Sequence, residues 1–518
     1  MRKTIWGFAL LVIMAFLASC SESSEYTNAI PKDAAMVVSL DFKSMAQKSG
    51  INGKEGESVV TKLTDVLKSG LEGEAYATAE KIVKNPAETG LSLTDRVYLF
   101  VTSNSNTFAV VAKVSSESKV RSLMQSLKEQ GLCSDLKSES GCTWTILGNG
   151  LCAYNNGTFL LVGTLYGNPE GMKDTLLAWM RQDTANSYAS TSDFAKLRDA
   201  KGDINIVANM SVLPREATMQ MRMGMPADLR LEDIKCLLST TFEKGKVVVD
   251  FESLIENKEL IALYEKQTQT STPLKGTYME YFPANTLLWA SANFNGEAIY
   301  NLLCENPTIK QSLDNPMLPI DLKTIFSAIH GDIAIGFSSL VNNDLLVYAD
   351  VTNKEFLKAF EELRPLLALS GGQMKLNSTG TDQYEFRMYD QSIWFGVKDN
   401  LFYLSNNEQM ADEAGRRYGV SLQNTPWAAE VTKNRSFMVF NTVELVKELG
   451  AAPRISRILG GETVMIMNNL FGPCEYVDVM APDWKNGQMN IVMKDKSTNV
   501  LQPVSYTHLR AHETVLDL

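Results

Sequence analysis

The sequence predicts an α+β protein made of two tandem homologous domains, each an antiparallel or mixed sheet with helices packed on one face. Three observations carry that reading. The chain repeats itself in order over a long period, its apolar runs alternate and are joined by Asn/Gly turns, and amphipathic helical stretches lie between them.

The repeat is read along the chain. Pro31 to Phe42 aligns with Pro283 to Phe294 at an offset of 252 (283 − 31), with Ser39 over Ser291. Asp95-RVYLFV aligns with Asp332-IAIGFS, and Asn106-TFAVVAKVS with Asn343-DLLVYADVT. Helical patterns follow, Ser116 to Gln130 in the first copy and Lys354 to Leu367 in the second. Ala153-YNNGTFLLV then matches Gly396-VKDNLFYLS, Ile204-NIVANMSVL matches Ser436-FMVFNTVEL, and Phe242-EKGKVVVDF matches Trp484-KNGQMNIVM. Each match is weak alone, but the order never breaks. A period this long suits two domains rather than a solenoid. The turns Asn155-Asn156-Gly157, Asp399-Asn400, Lys244-Gly245 and Asn486-Gly487 tolerate positive φ, as tight hairpins require. Copy one spans 30–267 and copy two 278–503, with TQTSTPLKG in a linker at 268–277.

The start carries an address. Arg2 and Lys3 precede the apolar run Ile5 to Phe16, and Leu17-Ala18-Ser19 leads to Cys20. This is an export signal at 1–19, too short and wrongly flanked for a stable membrane span. LASC resembles the bacterial lipobox, which implies cleavage before Cys20 and its acylation. Two or more acyl chains hold a protein to a bilayer almost irreversibly. The polar stretch 20–29 reads as a tether. Ser21 is not the Asp that resembles an inner-membrane retention mark, so the expected site is the outer membrane, on either face. The lipobox, the length, the start IPKDAAMVVSLDFKSMAQKSG and the doubled layout together resemble Bacteroidales lipoproteins of unknown function. That resemblance brings no assigned activity, so no functional residues carry over.

The other end reads VSYTHLRAHET, Val504 to Thr514. It resembles translated sequencing adapter, and 504–518 is set aside as an artefact, with copy two cut short at its end. The His508/His512 pair, four apart as in a helical metal site, goes with it.

Function is narrowed by exclusion. A formal charge of −11 without basic runs argues against nucleic acid. One histidine remains, His330, read as a last-turn helix residue before Gly331. No GxSxG, HExxH or GxxxxGK[ST] occurs, and Ser116-ESK-Lys119 lacks partner motifs. No cofactor is implied. Cys133 and Cys142 flank a polar loop and form the best disulfide pair, in a compartment that permits one. Met219, Met221, Met223 and Met225 alternate, which suits Cu(I), a partner surface or ordinary core filling. Thr175 and Thr184 follow aspartates in triplets that resemble a bacterial O-glycosylation signal. The leading expectation is a non-catalytic, lipid-anchored envelope protein that binds or scaffolds an envelope protein, peptide or glycan. The alternatives are a carboxylate-dependent hydrolase acting on envelope or host glycans, and a metal- or stress-handling protein using the methionines.

Overall fold

A computed structural model describes residues 25–502 apart from 52–59, 62–63, 66, 69–72, 93, 104–106, 165–168, 214–217, 219–229, 314–320, 340–341 and 452–459. Cys20, Met219, Met221, Met223, Met225, the signal segment and the tail all lie outside the described residues. Among the described residues no helix is long and apolar enough to cross a membrane.

Helices and antiparallel strands make an α+β architecture, as expected. The chain divides into two compact units. One contains residues up to 220, Asp228–Ile255 and the segment from Lys496; the other contains Glu256–Asp495. The first unit holds β1 (Ala34–Leu40), β2 (Val97–Thr102), β3 (Thr107–Lys113), β4 (Lys137–Glu139) and β5 (Cys142–Leu147). It also holds β6 (Gly150–Tyr154), β7 (Thr158–Thr164), β8 (Ile204–Asn209), β9 (Lys235–Glu243) and β10 (Lys246–Ser253). Its pairings give the order β4-β5-β6-β7-β3-β2-β1-β8-β9-β10, antiparallel throughout.

The second unit holds β11 (Leu288–Asn295), β12 (Ile329–Phe337), β13 (Leu345–Val351), β14 (Met374–Gly380) and β15 (Gln383–Met388). With them are β16 (Gln391–Lys398), β17 (Leu401–Ser405), β18 (Ser436–Phe440), β19 (Cys474–Ala481) and β20 (Asn486–Met493). Its order is β14-β15-β16-β17-β13-β12-β11-β18-β19-β20, strand for strand the order of the first unit.

Alternation explains the packing. In β1 the residues Val37 and Ser39 are buried while Met36, Val38 and Leu40 are half-exposed. Side chains of a strand point to opposite faces in turn, so one sheet face is closed and the other only partly covered. On the closed face of the first unit, Val37, Phe100, Ala109, Val207 and Leu237 join one core with Tyr26, Leu176 and Phe194. In the second unit, Trp289, Tyr348, Phe437 and Met480 form the matching core with Tyr278 and Trp427.

Several expectations are corrected here. Residues 25–29 of the supposed tether form a 3-10 turn. Tyr26 is buried, donates from its hydroxyl to the Arg96 carbonyl at 2.7 Å, and packs on Tyr98 at 6.0 Å. Burying an aromatic ring outweighs the freedom a polar spacer would keep.

The helix Lys258–Gln269, placed by sequence in the first copy, belongs to the second unit, where Tyr264 stacks on Trp484 at 5.3 Å. The supposed linker is fixed. Leu274 is buried and donates to the Asn434 carbonyl at 2.8 Å. Asp332 accepts from the Lys275 and Gly276 amides at 2.8 and 2.9 Å and from Asn293 at 2.9 Å. Thr, Ser, Pro and Gly composition signals irregular backbone, and irregular backbone that is buried must find partners.

His330 is not at a helix end. The helix stops at Ala328, and His330 is an exposed residue of β12 opposite Asn295.

The cysteine pairing is also corrected. Cys133, Cys142, Cys152, Cys236, Cys304 and Cys474 are free thiols. Cys133 bridges to Leu147, five residues along β5 from Cys142. At ~3.4 Å per residue the two cysteines stand roughly 17 Å apart, far beyond disulfide reach. Burial pushes the thiols of Cys133, Cys142, Cys152, Cys236 and Cys474 above the usual cysteine range, so they are poor nucleophiles. The expected result of a thiol assay on the denatured, unreduced Cys20→Ser chain is six free thiols, of the seven cysteines in the sequence. A count of four would restore one disulfide.

Candidate functional site

The partly covered face of each sheet is where chemistry and exposure meet. In the first unit, Val110, Leu99, Val38, Ile206, Leu238 and Phe251 lie directly opposite one another across β3, β2, β1, β8, β9 and β10. All six are apolar and half-exposed. In the second unit the same six strand positions hold Val347, Ile335, Ala290, Met438, Val479 and Met489. Ile335, Met438 and Val479 are 37%, 40% and 36% exposed, unusual for large apolar side chains on a sheet. Six strands at ~4.8 Å spacing make each floor about 24 Å long.

Neighbouring parts of the same faces already hold amphipathic helices. In the first unit, Leu40, Val97 and Ile204 pack under the helices Phe42–Ser49, Gly73–Lys84 and Glu117–Glu129. In the second, Phe440 packs under Leu445, Leu449 and Val464 of the helices Thr442–Ala451 and Gly461–Phe471. Among the described residues the floor between is made of the same residue types without a helix laid over it, Val110 excepted, which packs against the first unit's helix-covered cluster, and such a pattern marks interaction surfaces. Sequence reading missed it because pairing partners across six strands are far apart in the chain.

No such convergence of catalytic groups exists among the described residues. Every described carboxyl whose pKa is displaced moves down. At Glu361 the cause is donation from Arg364, and at Glu385 donation from Ser392 and Asn377. A carboxylic general acid needs the opposite displacement. The most buried acids are structural. Asp203 accepts from Ser44 at 2.5 Å, from Lys48 at 2.6 Å and from the Phe242 amide at 2.7 Å. Asp478 accepts from Asn490 at 2.8 Å on the closed face. Among the described residues no group of three or more His, Cys, Asp or Glu side chains is placed to hold a metal.

The remaining sequence-derived residues are scattered. Thr175, on the helix Lys173–Arg181, and Thr184, opening a 3-10 turn, are exposed. Trp144, Trp289 and Trp427 are buried, while Trp179, Trp394 and Trp484 are half-buried, so none stands out as a glycan platform.

Comparisons with known proteins add a family. No curated protein matches the sequence. Two solved structures, titled "Structure of crystal form III of TP0453" and "Structure of crystal form IV of TP0453", are similar at 12% identity with TM-scores of 0.26 and 0.27. The first covers 48% of this chain and 86% of that chain, the second 44% and 83%. Residues 26–501 match the family described as "Domain of unknown function (DUF4836)", and the chain belongs to that family.

Proposed function

We propose that the chain is a lipid-anchored cell-envelope protein, built of two tandem related domains, that binds without catalysing. Its ligand in this reading is an amphipathic helix of another envelope protein, laid on the apolar sheet floors. One observation carries the reading: the same apolar, half-exposed row recurs on the same six strands of both units. The shared strand order supports duplication of one ancestral domain. The helices already packed beside each floor support a helical occupant, because helix-on-sheet packing is the layer this face is shaped for. A helix of roughly 16 residues has the length of one floor. A glycan would find few polar groups there. The Cys20 lipobox supports attachment at the outer membrane.

Two measurements test this. A photo-crosslinking residue at Met438 in the producing cell should join one protein, and mass mapping should place the adduct in an amphipathic helix. Adducts outside any helix would sink the binding mode. Replacing Cys20 by Ser should move the protein to the soluble fraction when the membrane pellet is washed in high salt, which screens headgroup contacts but leaves an acyl anchor in place. A wild-type protein that is soluble already would remove the anchor.

A further inference from the structure

The turn between β15 and β16 carries a residue its backbone does not favour. Tyr389 sits at φ 55°. The turn between β5 and β6, at the same place in the first unit, carries Gly148 at φ 58°. Even the anchoring bond is shared: the Tyr389 amide donates to the Gln373 carbonyl at 2.8 Å, and the Gly148 amide to Leu132 at 3.4 Å. Glycine adopts this conformation freely, whereas a bulky side chain strains there. Tyr389 gains little packing in return, since it is 64% exposed. Strain held at an exposed ring points to a role outside the chain.

The surroundings say what would meet it. Met388 and Ile393 flank the turn and are exposed, and the helix Arg364–Ala368 beside β14 ends in exposed Leu366 and Leu369, the latter 83% exposed. Lys375 and Arg387 stand directly opposite each other on β14 and β15, both exposed. Like charges so placed repel unless an anion lies between them. The nearby acids are Glu385, engaged by Asn377 at 2.9 Å and Ser392 at 2.6 Å with the Arg387 charge also acting on it, exposed Asp390, and Glu361 and Glu362 on the adjoining helix Phe356–Glu362, of which Glu361 is paired with Arg364.

We propose that this end of the second unit seats in the headgroup layer of an anionic phospholipid bilayer. Tyr389 lies at the interface, Leu366, Leu369 and Met388 enter the acyl boundary, and Lys375 and Arg387 meet lipid phosphates. The contact is independent of acylation at Cys20.

Flotation of the full Cys20→Ser chain with vesicles of phosphatidylethanolamine and phosphatidylglycerol tests it. The chain should float with these vesicles and not with phosphatidylcholine alone. The pair Tyr389→Gly/Leu369→Ser, and separately Lys375→Glu/Arg387→Glu, should each lower the bound fraction about tenfold. Tyr389→Gly installs the residue the first unit uses, so this variant alone decides the matter if another fails to fold. Absence of wild-type flotation, equal flotation with neutral vesicles, or undiminished flotation of Tyr389→Gly/Leu369→Ser would overturn the proposal.

Discussion

Replacing Trp289 by Ala is expected to lower stability by about 4 kcal/mol, the middle of the range for large buried aromatics. Trp289 is 1% exposed and lies in the middle of the second unit's closed face. Its ring faces Trp427 at 5.8 Å and Phe437 at 6.4 Å, so truncation opens a cavity and removes two ring contacts together. For a unit of this size, such a loss lowers Tm by roughly 8–16 °C. The indole N–H has no hydrogen-bond partner among the described residues. Phe at this position leaves no orphan donor, so Trp289→Phe should cost clearly less than Trp289→Ala. Equal losses for both would mean that the ring stack contributes little. Thermal unfolding followed by near-UV dichroism reads the difference.

Asp203→Ala is expected to cost about 3 kcal/mol, the low end for breaking a buried ion pair, because Lys48 is 29% exposed. The carboxylate joins three separated segments: the helix Phe42–Ser49 through Ser44 and Lys48, the start of β8, and β9 through the Phe242 amide. Alanine leaves that amide and the ammonium without their acceptor. Asp203→Asn keeps part of the hydrogen bonding and should cost less. Lys48→Met removes the charge but leaves two donors in place, so it should also cost less than Asp203→Ala. Urea unfolding of the three variants would contradict the assignment if Lys48→Met were the most damaging.

The strand content of the fold was legible in local patterns, because alternation and turn residues are local. Register was not. The sequence match sets Asp95 against Asp332, yet Ser39 faces Tyr98 while its counterpart Ser291 faces Ala334. The true counterpart of Asp332 is therefore Arg96, one residue along. A slip of one exchanges the two faces of a strand, and only burial decides between them. Tyr98 and Phe100 are buried in β2, as are Ala334 and Gly336 in β12. Tyr26 and Tyr278 also escaped notice, although each lies five residues before a matched proline, Pro31 and Pro283. Both are buried against the closed face. Tyr26 is a single aromatic in a polar stretch and Tyr278 opens the short run YMEYF, neither with a helix or strand period, so nothing local separates a packed ring from a solvated one. The candidate surface was invisible for the same reason: Val38 and Ile206 are neighbours only once β1 and β8 pair.

The apolar floors are most directly tested by titrating a labelled 18-residue amphipathic Leu/Lys helix with the full Cys20→Ser chain and following fluorescence anisotropy. A basic peptide suits a chain of formal charge −11. Saturable binding is predicted for the parent chain. It should weaken at least about tenfold when Met438 and Val479 become Glu, and again when Val38 and Ile206 do, since a buried unpaired carboxylate opposes an apolar face. An affinity indifferent to all four changes, in variants that unfold like the parent, would contradict the account.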